Sequence, residues 1–365
     1  MSEWKEYRLG NVLEIKYGKD HKKLPEGKVP CYGSGGLMRN VEKYLYDKPS
    51  ILIPRKGSLN NIMFQDQPFW TVDTMFWSKI NEDLVFPKFL FYQLTLIDYT
   101  ILNVGSAVPS LTVPVINEII INLPSLPEQK AIAEILTSLD DKINLLHRQN
   151  NTLEAMAETL FRQWFVEGAE EDWEEGSVTN LASHLKKSIK PQQNKDTLFN
   201  HYSIPSYDNG KEPVREFGKE IKSNKYQVPS NCILFSKLNP HKDKRVWLLQ
   251  DNLPDNPICS TEFQIVYPTN KNSLYFLYGW LSINENYREI TSGVGGTSGS
   301  HQRISPSEIF NFKCPLIPDG QLYEYSLEVE PIYKKQFNNH TQIRTLEKLH
   351  DTLLPKLMSG EIKVI

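Results

Sequence analysis

Cysteine is scarce in this sequence, and long apolar runs are missing from it. The 365 residues include four cysteines that lie far apart and form no CxxC pair. This spacing excludes a structural zinc site and a disulfide scaffold, so we expect buried, reduced thiols at Cys31, Cys232, Cys259 and Cys314. The longest apolar stretch, 86–102, is interrupted by charged and polar residues, whereas a membrane span needs about 20 apolar residues. The first residues also lack the apolar core of a signal peptide, so we expect no membrane segment and a cytoplasmic location.

Motifs that carry catalysis or bind metals are missing too. The sequence contains no HExxH, GxSxG or P-loop motif, and its eight histidines form no pair at ligand spacing. The segment 239–241 is the nearest approach to a nucleic-acid methyltransferase motif, and it lacks the second proline and the aromatic ring. Asp208 with Glu220 and Lys222 has the composition of a nuclease site, but such triplets are common on solvated surfaces. We therefore expect a non-catalytic chain that holds neither a metal ion nor a cofactor.

Length and charge indicate more than one domain and an uneven surface. A single core usually stops growing at about 250 to 300 residues, so this chain is expected to form at least two domains. Its net charge is only −3, which does not favour a freestanding nucleic-acid binder. The segment 167–175, however, carries six acidic residues and no basic one, and 176–316 has a net charge of +5. The basic excess therefore lies in the third quarter of the chain.

Short segments recur in the two halves of the chain. The corresponding segments are 4–6 and 173–175, 117–127 and 307–318, and 152–160 and 345–353. Small changes in spacing separate them, as expected for a diverged duplication rather than a tandem array. Each half is interpreted as a globular domain followed by a long helix.

The first long helix is predicted from about Glu128 to Phe165. Ser125 and Glu128 match a capping box at its start, with Pro127 in the first turn. Apolar residues then alternate at spacings of three and four, which is typical of a coiled-coil seam. The seam positions are Leu136, Leu139, Ile143, Leu146, Asn150, Leu153, Ala157, Leu160 and Trp164. Asn150 either fixes the register through a buried partner or lies at a solvated edge of the seam.

The second long helix is predicted from about Gln321 to Met358. Its later seam positions are Ile343, Leu346, Leu349, Leu353 and Leu357. The seam is weaker in the middle, where Gln336, Asn339 and His340 intrude. Pro331 lacks an amide hydrogen and clashes with the preceding turn, so a kink or a break is expected there.

These patterns together predict an α/β mixed fold. We expect two globular domains separated by two long helices that form an antiparallel coiled coil, in a pseudo-twofold internal duplication. β-rich segments are predicted at 50–54, 68–80, 232–235, 246–250 and 263–267, and short helices at 87–99 and 273–286. The predicted boundaries are 1–125 for the first globular domain, 126–166 for the first helix, 167–175 for an acidic linker, 176–316 for the second globular domain, 317–358 for the second helix and 359–365 for a C-terminal tail.

Basic residues recur in both predicted domains. Since catalytic and metal-binding motifs are missing, these residues are the remaining candidates for a binding site. Such residues neutralise phosphates, and some can reach base edges in a DNA groove. Two glycine-rich segments, 33–36 and 293–299, are either flexible turns or loops that contact a DNA backbone. The candidate DNA-binding residues are Lys19, Lys22, Lys23, Arg55, Lys56 and Ser106 in the first domain, and Lys237, Lys244, Arg245, Ser298, His301 and Arg303 in the second.

Four segments resemble a known family, the specificity subunits of type I restriction-modification systems. Residues 123–133 read Leu-Pro-Ser-Leu-Pro-Glu-Gln-Lys-Ala-Ile-Ala and lead into Leu-Asp-Asp-Lys-Ile at 139–143. The other two are Gly-Ser-Ala-Val-Pro-Ser-Leu at 105–111 and the closing stretch 353–362. The Leu-Pro-x-Leu-Pro-Glu-Gln segment that enters the first helix is the specific signal, and the resemblance covers essentially the whole chain.

The resemblance implies a non-catalytic reader of double-stranded DNA. Each globular domain would be a target-recognition domain for one half of a split site, and the antiparallel helices would fix the spacer. Two modification subunits, which carry S-adenosylmethionine and methylate adenine, would dock on the helices. A restriction and motor subunit, with ATP and Mg²⁺, would join for cleavage. The entrance to the second helix, 314–321, departs from the Pro-Glu-Gln-Lys pattern of the first.

Two other classes of function are compatible with parts of the pattern. A coiled-coil scaffold or adhesion protein with two ligand-binding heads would explain the helices and the low net charge, but not basic clusters in both heads. A stand-alone enzyme would need a catalytic motif that the sequence does not show.

Overall fold

A computed structural model describes residues 4–105, 107–251, 253–292 and 302–364. The chain divides into two compact units. The first unit comprises Met1–Leu145 and Ile343–Ile365, and the second comprises Leu146–Gln342. Each unit therefore contains part of both long helices. The predicted domain boundaries, which set the helices apart as separate segments, stay predictions.

The first unit contains strands β1 to β9 and helices α1 and α2. Its strands are β1 Lys5–Arg8, β2 Leu13–Tyr17, β3 Val29–Gly33, β4 Gly36–Val41, β5 Ser50–Pro54, β6 Met63–Gln65, β7 Trp70–Thr71, β8 Met75–Ile80 and β9 Ile120–Leu123. Its short helices are α1 Pro87–Thr95 and α2 Val113–Asn117. The long helix α3, Leu126–Arg162, begins in this unit and continues as a π-helical turn, Gln163–Glu167.

The described residues of the second unit form strands β10 to β20 and helices α4 to α8. Its strands are β10 Glu174–Ser177, β11 Ala182–Leu185, β12 Ser188–Ile189, β13 Leu198–Tyr202, β14 Val214–Phe217, β15 Lys225–Gln227, β16 Cys232–Ser236, β17 Val246–Leu249, β18 Pro257–Ser260, β19 Phe263–Pro268 and β20 Lys313–Leu316. Its short helices are α4 Val178–Leu181, α5 Ile204–Asp208, α6 Leu274–Ser282, α7 Asn284–Ser292 and α8 Pro306–Phe310. The long helix α9, Asp319–Met358, begins in this unit.

The two units have the same strand connectivity. A four-stranded sheet has the order β2-β8-β5-β6 in the first unit and β11-β19-β16-β17 in the second. A second sheet has the order β4-β3-β7 in the first unit, and β14-β13-β18 recurs in the second with β15 and β12 added beside β18. In both units the second and third strands of this order, β3 with β7 and β13 with β18, are parallel. The internal duplication and the α/β class are therefore confirmed.

One of the two central strands of each four-stranded sheet is completely buried. All five residues of β5 are buried, and so are all five residues of β16. Strands that are covered on both faces appear in a sequence as continuous apolar runs rather than as alternating patterns. This is why Ser50–Pro54 and the start of β16 at Cys232 could be predicted. The interrupted segment 68–80 instead forms two strands, β7 and β8.

Within each unit the long helices pack against each other. In the first unit, Nε2 of His350 lies 3.6 Å from Oδ1 of Asp140. In the second unit, Nδ2 of Asn339 donates to Oδ1 of Asn150 at 2.9 Å, and Nε1 of Trp164 donates to Oε2 of Glu328 at 3.1 Å. The partner numbers on α9 fall as those on α3 rise, so the two helices run antiparallel, as predicted.

All but one of the predicted seam residues face inward. Leu136, Leu146, Asn150, Ala157, Ile343 and Leu357 are buried, and Leu139, Ile143, Leu153, Leu160, Trp164, Leu346 and Leu353 are half-buried. Leu349 was wrongly predicted as a seam residue, because its side chain is 43% exposed. Seven residues after Ile343 the seam reaches His350, whose side chain is only 17% exposed.

A kink or a break was expected at Pro331, and the break does not occur, since α9 is continuous from Asp319 to Met358. Pro331 is exposed, and its missing amide hydrogen removes one hydrogen bond from the helix. Val329 and Ile332 beside it are buried, and their packing holds the helix together through the missing hydrogen bond.

The cysteines agree with the expectation of buried, reduced thiols. All four cysteines are free and buried, and burial raises the pKa of the Cys259 and Cys314 thiols to about 12. Thiols with such pKa values are almost entirely protonated at neutral pH and react slowly. Among the described residues, no helix combines the length and the apolar character needed to cross a membrane.

Candidate DNA interface

In the first unit a basic segment leaves the end of a buried strand. Directly after β5, the amide of Arg55 donates to the carbonyl of Thr74 at 2.8 Å. The carbonyl of Arg55 accepts from the amide of Leu111 at 2.9 Å, and the amide of Gly57 donates to the carbonyl of Pro109 at 3.0 Å. We call this pairing of 55–58 with 109–111 the first junction. Its main chain is fixed on both sides, while the side chain of Lys56 is exposed.

The second unit builds the same arrangement from different residues. Directly after β16, the amide of Lys237 donates to the carbonyl of Glu262 at 2.9 Å. The carbonyl of Lys237 accepts from the amide of Ile304 at 3.1 Å. We call this pairing of 237–240 with 302–304 the second junction. Leu111 and Ile304, which close the two junctions, are both 2% exposed.

The two junctions place Arg55 and Lys237 in equivalent positions. Each residue follows a five-residue buried strand, and each carbonyl accepts from a buried apolar residue just before a short helix, α2 or α8. Sequence reasoning treated these residues as members of unrelated basic clusters. The signal that relates them is their position directly after the apolar runs Ser50–Pro54 and Cys232–Ser236.

Lys19, Lys22 and Lys23 lie in the exposed turn that follows β2. The turn is anchored at Lys19, whose amide donates to the carbonyl of Thr71 at 2.9 Å and whose carbonyl accepts from Nε1 of Trp70 at 3.0 Å. The amide of Lys22 donates to Oδ1 of Asp20 at 3.0 Å. The main chain is thus held while three ammonium groups extend from one turn, an arrangement suited to phosphate contacts.

Arg55 is packed against an aromatic ring. Its Cζ lies 5.4 Å from the centroid of the Tyr17 ring, within the range of a cation–π interaction. Nη1 of Arg55 donates to the carbonyl of Asp73 at 3.2 Å. Tyr17 itself is 55% exposed, so the pair is accessible to a ligand.

Other candidate residues of the second unit are engaged by neighbouring groups. Arg245 is buried. Its Nε donates to Oδ1 of Asp208 at 2.7 Å, and its Nη2 donates to Oδ2 of Asp243 at 2.8 Å. The hydrogen bond with Asp208 raises the pKa of Arg245. Arg303 donates from Nε and Nη2 to the two carboxylate oxygens of Glu262 at 2.9 and 3.0 Å. Their roles as DNA contacts stay predictions.

Lys244 is held by the main chain of a neighbouring helix. Its Nζ donates to the carbonyl of Ser282 at 2.5 Å and to Oδ1 of Asn284 at 3.2 Å. Ser106, Ser298 and His301, the three remaining candidates, lie outside the described residues. Among the residues that are described, no group of three or more His, Cys, Asp or Glu side chains could hold a metal ion.

Comparisons with known proteins identify similar sequences and folds. The family described as "Type I restriction modification DNA specificity domain" matches residues 1–155. The specificity subunit of type I restriction enzyme MjaIX from Methanocaldococcus jannaschii is 26% identical over 353 residues, covering 88% of this chain and 79% of that protein. The EcoDI specificity subunit from Escherichia coli is 22% identical and covers 99% of this chain and 89% of that protein.

A solved structure shows the same fold. The S subunit of a type I restriction-modification system from M. genitalium superposes with a TM-score of 0.71 at 16% identity, covering 97% of this chain and 96% of that one. This duplicated α/β chain therefore has the fold of that S subunit. Residues 1–155 therefore match a type I restriction-modification DNA specificity domain, and nearly the whole chain is similar to specificity subunits, as its sequence motifs predict. The alternative of a scaffold or adhesion protein is not supported.

Proposed function

We propose that this chain reads a bipartite double-stranded DNA target and performs no chemistry itself. Each unit would read one half of the target through its junction. The supporting observation is that two units of equal strand order present Arg55 and Lys237 at equivalent, rigidly anchored positions. Phosphate contacts from Lys19, Lys22, Lys23 and Lys56 would position the first unit on the duplex.

The low net charge supports an assembly with other subunits. A chain with a net charge of −3 has few phosphate contacts to contribute, so tight binding needs partners that add cationic surface. We propose two modification subunits, which bind S-adenosylmethionine and methylate adenine, and a restriction and motor subunit that uses ATP and Mg²⁺. The cofactors would belong to those partners, and the complex would work in the cytoplasm.

The antiparallel helices would set the distance between the two half-sites. A helix rises about 1.5 Å per residue, so one heptad corresponds to about 10 Å, or about three base pairs at about 3.4 Å each. Half-site spacing is a geometric property of a rigid protein, independent of the bases that each unit reads.

Removing one matched heptad should therefore shorten the spacer by about three base pairs. We would delete 147–153 from α3 together with 336–342 from α9, which preserves the seam on both sides and removes Asn150 and Asn339 together. Methylated adenines would be mapped in DNA from cells that carry the deletion variant and the partner subunits. Both half-sites should keep their sequences.

The intact chain with its partners is the control for this experiment. A methylation pattern that keeps its original spacer after the double deletion would disprove the proposed role of the helices. A methylation pattern that is contiguous in the control itself would disprove the bipartite target.

A further inference from the structure

Arg55 has the features of a side chain that is prepared to read a base. Arginine presents five N–H donors in a planar fork, which matches O6 and N7 of guanine in the major groove. The Tyr17 ring lies 5.4 Å from the guanidinium carbon, and the carbonyl of Asp73 accepts one N–H at 3.2 Å. These contacts limit the rotation of the side chain, and the other guanidinium N–H groups form no hydrogen bond with the described residues. Part of the entropy cost of binding is thereby removed in advance.

The other two candidate arginines differ from Arg55 because carboxylates occupy their N–H donors. The fork of Arg303 is occupied by both carboxylate oxygens of Glu262. The fork of Arg245 is occupied by Asp208 and Asp243, and its side chain is only 10% exposed. A carboxylate that accepts two parallel N–H groups fills the same donor sites that a guanine edge would use.

The surroundings of Arg55 allow a close approach. The turn at 33–36 lies beside the first junction, because a Cβ atom on Gly57, which has a φ of +90°, would lie 3.0 Å from Oγ of Ser34. Nδ2 of the nearby Asn61 donates to the carbonyl of Ser34 at 2.8 Å. Gly35 and Gly36 have open space around them. Leu37, next to this turn, is 62% exposed and could contact a thymine methyl group or a sugar.

We infer that Arg55 selects a guanine in the half-site read by the first unit, with Tyr17 as its positioning residue. Lys237, the equivalent residue of the second unit, is a point charge without a planar fork and would contact a phosphate. This inference rests on the proposed function. It assigns one base class to one residue, whereas the proposed function requires only that both units contact DNA.

The test compares Arg55→Lys with the unchanged chain, each assembled with its partner subunits. Methylation would be measured on a library of DNA targets in which each position of both half-sites is varied. A bidentate arginine–guanine pair corresponds to a discrimination of about 5- to 150-fold. Arg55→Lys should lose most of this discrimination at one guanine of one half-site, and discrimination within the other half-site should stay the same.

Variants of two neighbouring residues separate base reading from general effects. Tyr17→Phe keeps the ring and should keep the discrimination, while Tyr17→Ala should reduce it at the same guanine. Lys56→Ala removes an exposed charge from the same junction. It should weaken binding to all sequences alike and lower the slope of log affinity against log salt by about 1, without changing any base preference.

Two results would overturn the inference. In the first, the unchanged chain methylates a bipartite target and the Arg55→Lys variant still discriminates fully between bases at every position. The second is a loss of discrimination in the half-site read by the second unit. A lack of any bipartite pattern from the unchanged chain would instead reject the proposed function, so the two failures are distinguishable.

Discussion

Replacing Phe161 with alanine should lower the free energy of unfolding of the second unit by about 3 to 5 kcal/mol. The Phe161 side chain is 1% exposed and lies on the part of α3 that belongs to this unit. Its ring centroid is 5.3 Å from that of Phe165, 6.1 Å from that of Phe276 and 6.3 Å from that of Tyr325. Loss of the ring leaves a cavity that these large neighbours fill only in part.

Gly279 shows how closely this cluster is packed. A Cβ atom on Gly279 would lie 2.2 Å from Cδ2 of Phe161, so α6 can approach α3 only where it has no side chain. Gly279→Ala alone should destabilise the second unit by about 1 to 3 kcal/mol through overpacking. Adding Phe161→Leu, which removes the clashing ring edge, should recover part of that loss.

Urea unfolding of the full chain, with hydrogen exchange measured on peptides from 146–342, would test both variants. Met156→Ala is the matched control, because this side chain lies on the same helix and is 49% exposed. Its effect should stay within about 0.5 kcal/mol. An equal loss of stability in Phe161→Ala and Met156→Ala would contradict the assignment of Phe161 to the core.

Replacing either asparagine of the buried pair should cost more than replacing both. Asn150 is 7% exposed and Asn339 is 0% exposed, and one amide hydrogen bond of 2.9 Å joins them. A leucine in place of one residue leaves the other amide buried without its partner, which costs about 1 to 3 kcal/mol. The double variant Asn150→Leu with Asn339→Leu removes both amides and should recover most of this stability, because apolar residues then face each other across the seam.

A double-mutant cycle measures this coupling, which we expect at about 0.5 to 3 kcal/mol. Asn151→Leu and Asn338→Leu are matched controls, since both residues are exposed neighbours on the same helices. The pair should also fix the register, as a polar residue at one seam position does in coiled coils. Additive effects of the two replacements would show that the amides do not depend on each other.

The sequence predicted local features of the fold well. The seam spacing on α3 identified Leu136 and Leu146 as inward-facing, because helical periodicity is a property of neighbouring residues. The same reasoning failed at Leu349, where a run of leucines suggested a seam position that the seven-residue repeat assigns to His350. The partner of Asn150 could not be predicted either, since Asn339 is 189 positions away along the chain.

In the candidate DNA interface, too, some features are visible in the sequence and others depend on distant segments. The basic character of Arg55, Arg245 and Arg303 is visible in the sequence, but the groups that engage them are not. Tyr17 reaches Arg55 because β2 and β5 both pair with β8, and Glu262 reaches Arg303 across a separation of 41 residues. Charge identifies a candidate contact, whereas the neighbouring carboxylates decide whether its donors are available.

By itself, the sequence determined the α/β class, the duplication, the two long helices and the resemblance to a DNA specificity subunit. These features depend on composition, periodicity and short motifs, which local chemistry and common descent impose on neighbouring residues. Only the tertiary structure decided that Arg55 and Lys237 are equivalent and that Asn150 pairs with Asn339. It also decided that Arg55 lies against Tyr17 and keeps guanidinium N–H groups that form no hydrogen bond with the described residues. Those relationships arise from strand and helix pairing between distant segments, and the geometry of such pairing is not contained in any local pattern.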